Sequence, residues 1–146
     1  MNRTKTATRI LSILAALCLL LASLTACSGG ITREEAKTAM DSLLSALDNE
    51  NYAEAAALYH PDAAMTEDLL IAFAEQVKTK VGIDLTEGAV VEKITGMSSS
   101  YYDSNVDGSF YALTARIKAG DKTADLTVEV IRNDRGYGIF QVECNP

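Results

Sequence analysis

The strongest constraint on this chain is a change of hydrophobic period near residue 88. From residue 32 to 81, apolar side chains recur at helical spacing, and from residue 89 onward they recur at every second position. The helical pattern comes first and the strand pattern after it. That order predicts an α+β architecture in which three helices pack on one face of a curved, four-stranded antiparallel sheet. Thr32-Arg33-Glu34-Glu35 reads as a capping box, and Ala36, Ala39, Met40, Leu43, Leu44 and Leu47 place a first helix over 32–48. Asp48-Asn49-Glu50 makes an acidic turn, and Asn51 caps a second helix with Tyr52, Ala55, Ala56 and Tyr59 on one face. His60-Pro61 stops it. A third helix begins near Thr66, carries Glu67 and Asp68 in its first turn, and turns Leu69, Leu70, Phe73, Val77 and Val81 inward before Gly82.

Strands are predicted at 88–97, 109–119, 122–132 and 137–143. Gly120-Asp121 suits a type II′ hairpin turn, which pairs Ala119 with Lys122. Counting outward sets Tyr111, Leu113, Ala115 and Ile117 against Val130, Val128, Leu126 and Ala124, with Arg116 meeting Asp125 and Thr114 meeting Thr127 on the other face. Carrying the count past Asn133-Asp134-Arg135-Gly136 sets Tyr137 beside Arg132 and Ile139 beside Val130, and puts Gln141 on the helix-covered face opposite Val128. Phe140 and Val142 then join Phe110 and Ile131 in an apolar strip on the outer face, and a second copy of the chain is the simplest cover for it, giving a homodimer.

The amino-terminal segment has its own signature. Arg3, Lys5 and Arg9 precede Ile10 to Ala22, which is apolar apart from Ser12, the pattern of a signal peptide. The run is short for a spanning helix, which leaves an uncleaved anchor as the alternative. It ends in Leu24-Thr25-Ala26-Cys27, which resembles the lipobox of bacterial lipoprotein precursors. That resemblance implies peptidase recognition of Leu24, Thr25 and Ala26, a diacylglycerol thioether on Cys27, and a bilayer partner on the outer, extracytoplasmic side of a membrane. Two acyl chains hold a bilayer stably where one is marginal. The organisation is then signal peptide at 1–26, lipidated Cys27 and linker at 27–31, and one α+β domain at 32–146. The linker extends to about 15 Å at most. Cys18 would leave with the signal, so Cys144 would stand without a disulfide partner.

Charge narrows the function classes. Loss of Arg3, Lys5 and Arg9 leaves ten of the 13 basic residues against 20 acids, a net charge of −10. Residues 27–76 hold ten acids against Arg33 and Lys37 alone. Such a surface repels phosphate backbones, so nucleic acid is not the expected partner.

The order of elements is similar to the cone-shaped fold named after nuclear transport factor two, which is cystatin-like and shared with ketosteroid isomerases. The stretch from Ala46-Leu47-Asp48-Asn49-Glu50-Asn51-Tyr52 through Ala53-Glu54-Ala55-Ala56-Ala57-Leu58-Tyr59-His60-Pro61-Asp62 resembles that superfamily's recurring element: a helix end, an acidic turn, an alanine-rich helix and an aromatic-His-Pro stop. The resemblance implies a fold and no catalytic residues. The mouth of such a cone would be lined by Tyr52, Tyr59, Tyr111 and Gln141, a site for a small ligand or a peptide.

Other constellations compete with structural readings. Asp103-Ser104-Asn105-Val106-Asp107-Gly108 matches the first half of a calcium loop, with Asp103, Asn105 and Asp107 as oxygen ligands, but the twelfth position is Thr114 instead of a bidentate Glu. Asp107-Gly108 is equally a hairpin turn. His60 is the sole histidine, either ending the second helix or working with Asp62 in proton transfer. An isomerase would need a carboxylate inside the cone, and Asp125 and Glu129 are predicted to point outward. The leading reading is a non-catalytic, membrane-anchored binding module; an enzyme using the cavity and a calcium-dependent surface protein are the rivals.

Overall fold

The capping box forms in the computed structural model of the chain, which describes residues 30–102 and 107–146, with the backbone alone at 100–102. Leu24, Thr25, Ala26, Cys27, Asp103 and Asn105 lie outside the described residues. Thr32 Oγ1 accepts the Glu35 N–H at 3.2 Å, and the Glu35 carboxylate accepts the Thr32 N–H at 2.8 Å. Helix α1 (Arg33–Asp48) thus starts with both donors satisfied, and its buried stripe of Ala36, Met40, Leu43, Leu44 and Leu47 faces the sheet. Asn51 Oδ1 accepts the Glu54 N–H to open α2 (Tyr52–Ala57), and a 3-10 turn at Pro61–Ala63 follows it.

Thr66 caps α3 (Glu67–Gln76), which runs into a π-helical turn, Val77–Val81, closed where the Gly82 N–H donates to the Val77 carbonyl. Gly82 sits at φ 83°, the left-handed conformation a glycine adopts without steric cost. The buried stripe of α3 is Leu70, Ala74 and Val77. Leu69, expected to face inward, is 53% exposed. One residue is a rotation of ~100°, so a stripe centred on Leu70 carries Leu69 out to solvent.

Strands β1 (Val90–Tyr102), β2 (Gly108–Ala119), β3 (Lys122–Asn133) and β4 (Gly136–Asn145) form one antiparallel sheet in the order β1-β2-β3-β4. The fold is therefore α+β, with an open four-stranded sheet. Between β2 and β3 the register is the predicted one, from Ala119 against Lys122 to Tyr111 against Val130. Gly120 has φ 61° and Asp121 does not share it, as a type II′ turn requires. Across the outer face Arg116 binds Asp125 through two contacts of 2.6 and 2.9 Å, and the Thr114 and Thr127 hydroxyls lie 2.9 Å apart. The Arg116 guanidinium holds the Asp125 carboxyl below its ordinary pKa.

The β3–β4 register corrects the sequence-based one. Ile139 pairs with Val130 as expected, but Gln141 pairs with Glu129 and Val142 with Val128, so Phe140 is an extra residue in a β-bulge. Straight pairing would have pushed Gln141 and Glu143 under the helices, and burying those groups without partners costs several kcal/mol. The bulge turns both outward and returns Val142 and Cys144 to the core side. Val142 is thus not part of the outer apolar strip. Phe140 stays there, edge-to-face on Phe110 with ring centroids 5.6 Å apart, and Phe110 and Ile131 are 6% and 0% exposed within the single chain. Further shifts at Val91/Lys93 and Ile94/Gly96 leave Glu92 and Thr95 without ladder partners on β2, and the Thr95 hydroxyl donates instead to the Thr114 carbonyl at 3.3 Å.

The core lies between α1 and the inner face of the sheet, where Met40, Leu43, Leu47, Leu113, Ile117 and Leu126 are all fully buried. Each contributes about 1.5–3 kcal/mol of transfer free energy. Among the described residues no helix is long and apolar enough to cross a membrane.

Candidate functional site: a groove beside the sheet edge

The four residues expected to line a cone's mouth do not converge. Tyr59 is buried beside β4, where it bridges Ile139, and burial pushes its hydroxyl pKa up. Tyr111 is buried on β2 and donates to Met97 Sδ at 3.4 Å. Tyr52 packs half-buried against the core from α2, and Gln141 stands exposed on the opposite face of the sheet, donating to Glu143 Oε1. Gln141 is placed there by the bulge at Phe140. The space over the inner face is occupied by the leucine, isoleucine and methionine side chains of the core.

His60, in contrast, is the centre of a connected polar cluster. Its ring is 1% exposed, and the Asp62 N–H donates to Nδ1 at 3.1 Å. A backbone N–H can only donate, so Nδ1 accepts from it, with Asp62 Oδ2 standing 3.3 Å from the same nitrogen, and Nε2 bonds Asn133 Oδ1 at 2.9 Å. Asn133 Nδ2 donates in turn to Asp62 Oδ2 and to the Asp107 carbonyl, at 3.2 and 3.0 Å. Arg135 adds its backbone N–H to Asn133 Oδ1 and its guanidinium to Asp62 Oδ2 at 2.7 Å. Both ring nitrogens are thereby committed to holding the end of α2 against the β3–β4 turn. His60 and Asp62 were legible as neighbours in sequence; Asn133, 73 positions away, carried no local signal.

Asp107, the described member of the suspected calcium loop, is exposed, and Asn133 Nδ2 donates to its backbone carbonyl. At Gly108, φ is 147° and a Cβ would stand 2.6 Å from the Arg132 carbonyl oxygen, so only glycine fits this hairpin end. Among the described residues, no three His, Cys, Asp or Glu are grouped to hold a metal ion. Cys144 is half-buried in a shallow cleft between β4 and the π-helical turn, and burial first, with Asp125 adding to it, pushes its thiol up to about 11. It is protonated and unreactive near neutrality.

Sequence patterning did not single out one further concavity. A groove of about 660 Å³ runs between α1 and the start of β1, lined on the helix by Arg33, Lys37, Asp41, Leu44, Ser45 and Asp48 and on the strand side by every residue from Gly88 to Ile94. The helix positions form one stripe, because i, i+4, i+8 and i+12 overlie one another. A continuous run of strand residues, instead of alternate ones, means that the groove follows the backbone edge of β1. Among the described residues β1 pairs with β2 on one side only, which leaves the backbone donors and acceptors of its other edge outside the ladder, beside the groove that residues 88–94 line. Asp48 Oδ1 closes the far end by accepting the Gly88 N–H at 2.6 Å, and the Lys37–Asp41 ion pair lies along the helical wall. Comparison of the chain with protein-family models, with curated proteins and with solved structures found no match.

Proposed function

We propose that the protein is an exported lipoprotein, tethered through a diacylglyceryl Cys27 to the outer face of a membrane, and that its domain is a non-catalytic binding module of the cone-shaped, nuclear transport factor two-like class. The tether is supported by the charged, apolar and lipobox segments in succession, and the class by helices preceding a four-stranded antiparallel meander. The binding role is carried by one observation: a groove of about 660 Å³ along the unpaired edge of β1. Its natural occupant is an extended peptide, whose main chain pairs with β1 while alternate side chains reach the α1 stripe. The ring nitrogens of His60 serve the fold, which favours binding over proton transfer.

The two parts are tested separately. Metabolic labelling with an alkyne fatty acid is expected to mark the wild-type chain and not Cys27→Ala; a wild-type chain without label refutes the tether. A displayed library of random peptides should yield binders to the full-length protein in detergent. Ser45→Trp fills the groove from an exposed helix position and should abolish their binding while changing stability by no more than about 0.5 kcal/mol. Binders that ignore Ser45→Trp refute the groove.

A further inference from the structure

We infer that the bilayer is met by one defined end of the domain, the pole formed by the first turn of α1, the β3–β4 turn and Tyr137, so that the domain stands upright on the membrane. This rests on the lipid tether proposed above. Ile31 is buried in the core and Thr32 caps α1, so the chain is held by the domain from Ile31 onward. Only Ser28, Gly29 and Gly30 separate Cys27 from Ile31, a reach of about 15 Å when fully extended. Strand β2, with 12 residues, is about 40 Å long.

The point of departure of the tether is fixed by contacts. Glu35, in the first turn of α1, binds Arg132 at 2.6 Å, and the Tyr137 hydroxyl donates to the Glu35 carbonyl at 3.1 Å. Arg132 and Tyr137 pair across β3 and β4 beside their turn, whereas the Gly120-Asp121 turn lies at the other end of the same strands. The tether therefore leaves from the Tyr137 end and is much shorter than the distance to the far turn.

The chemistry of the pole suits a headgroup layer. Tyr137 is 39% exposed with the Arg132 guanidinium 4.9 Å above its ring, an amphipathic pair of the kind that settles at a membrane surface. Arg132 is neutralised by Glu35 and Arg135 by Asp62, so bringing them toward lipid strands no charge. The flank is different. Past the first turn of α1, residues 37 to 76 carry seven carboxylates besides Asp62 against Lys37 alone, and anionic headgroups repel that flank. The domain consequently stands on its pole instead of lying on its helices, and the α1–β1 groove runs from Arg33 near the lipid to Asp48 away from it.

The experiment uses full-length lipidated protein in vesicles of phosphatidylcholine and phosphatidylglycerol in equal parts. With Cys144→Ser as background, a fluorophore is attached at Asp134→Cys on the near turn, or at Asp121→Cys or Lys118→Cys at the far end, all exposed positions. Quenching by headgroup-nitroxide lipid is expected to be several-fold stronger at position 134 than at 121 or 118. Two far labels keep the comparison valid if one turn variant fails to fold. Equal quenching in protein that floats with the vesicles overturns the upright pole and leaves the tether intact. Protein that does not float overturns the tether, and the pole with it.

Discussion

Gly138→Ala offers the sharpest test of how the helical layer is fastened to the sheet. The His60 N–H donates to the Ile139 carbonyl at 2.8 Å and the Ile139 N–H to the Leu58 carbonyl at 2.9 Å, which lays the end of α2 along β4. A Cβ on Gly138 would stand 2.5 Å from His60 N, 2.8 Å from the Tyr59 carbonyl carbon and 2.9 Å from His60 Cα. All three are backbone atoms that cannot swing aside, so the segments must separate by about 1 Å to restore ordinary contact. Bonds of 2.8–2.9 Å then stretch past the hydrogen-bonding limit. Stranding buried groups costs about 1–3 kcal/mol for each bond. Replacing Gly with Ala returns ~0.5–1 kcal/mol through the unfolded chain. The net expectation is a loss of about 1–5 kcal/mol, or a Tm lowered by ~5–20 °C for a domain of this size. Thermal unfolding followed by circular dichroism measures it. Gly96→Ala is the control, because its Cβ would meet Thr114 Cβ at an ordinary 3.5 Å. A Gly138→Ala midpoint indistinguishable from that of the control would mean that the backbone of Tyr59 and His60 is not fastened to β4 at this point.

Three further outcomes are expected. Asn133→Ala strands the buried Nε2 of His60 and should cost ~2–4 kcal/mol in denaturant unfolding, whereas Asn145→Ala, at an exposed chain end, should cost almost nothing. Asp84 is held near a pKa of about 2, below the ordinary 3.8, first by Lys78 at 2.6 Å and then by the Thr86 backbone and hydroxyl. A depressed carboxyl contributes stability that is complete above its unfolded pKa and lost as pH falls through the folded one, so Asp84→Asn should flatten the stability profile below about pH 4 and leave its shape near neutrality unchanged. Millimolar calcium tests the Asp103, Asn105 and Asp107 reading, since Asp107 gives only its backbone carbonyl to Asn133: a loop that binds raises the thermal midpoint by several degrees, and an unmoved midpoint removes the idea.

Local periodicity and short-range chemistry were readable along the chain. Thr32 and Glu35 lie three residues apart, so their reciprocal capping is a property of the segment. Gly120-Asp121 sets the β2–β3 register because a two-residue turn leaves one way to count, and the Arg116–Asp125 pair follows from it. Tertiary structure decided whatever depended on competition between distant groups. The bulge at Phe140 exists because straight pairing would bury Gln141 and Glu143, a cost visible only once the helices define which face is covered. The same bulge moved Gln141 away from the tyrosines and Val142 away from Phe110, dispersing the site that counting along the chain had assembled. His60 gained Asn133 across 73 positions, and the groove along β1 arose from where α1 lies over the sheet, a matter of packing between elements that no periodicity within either one encodes.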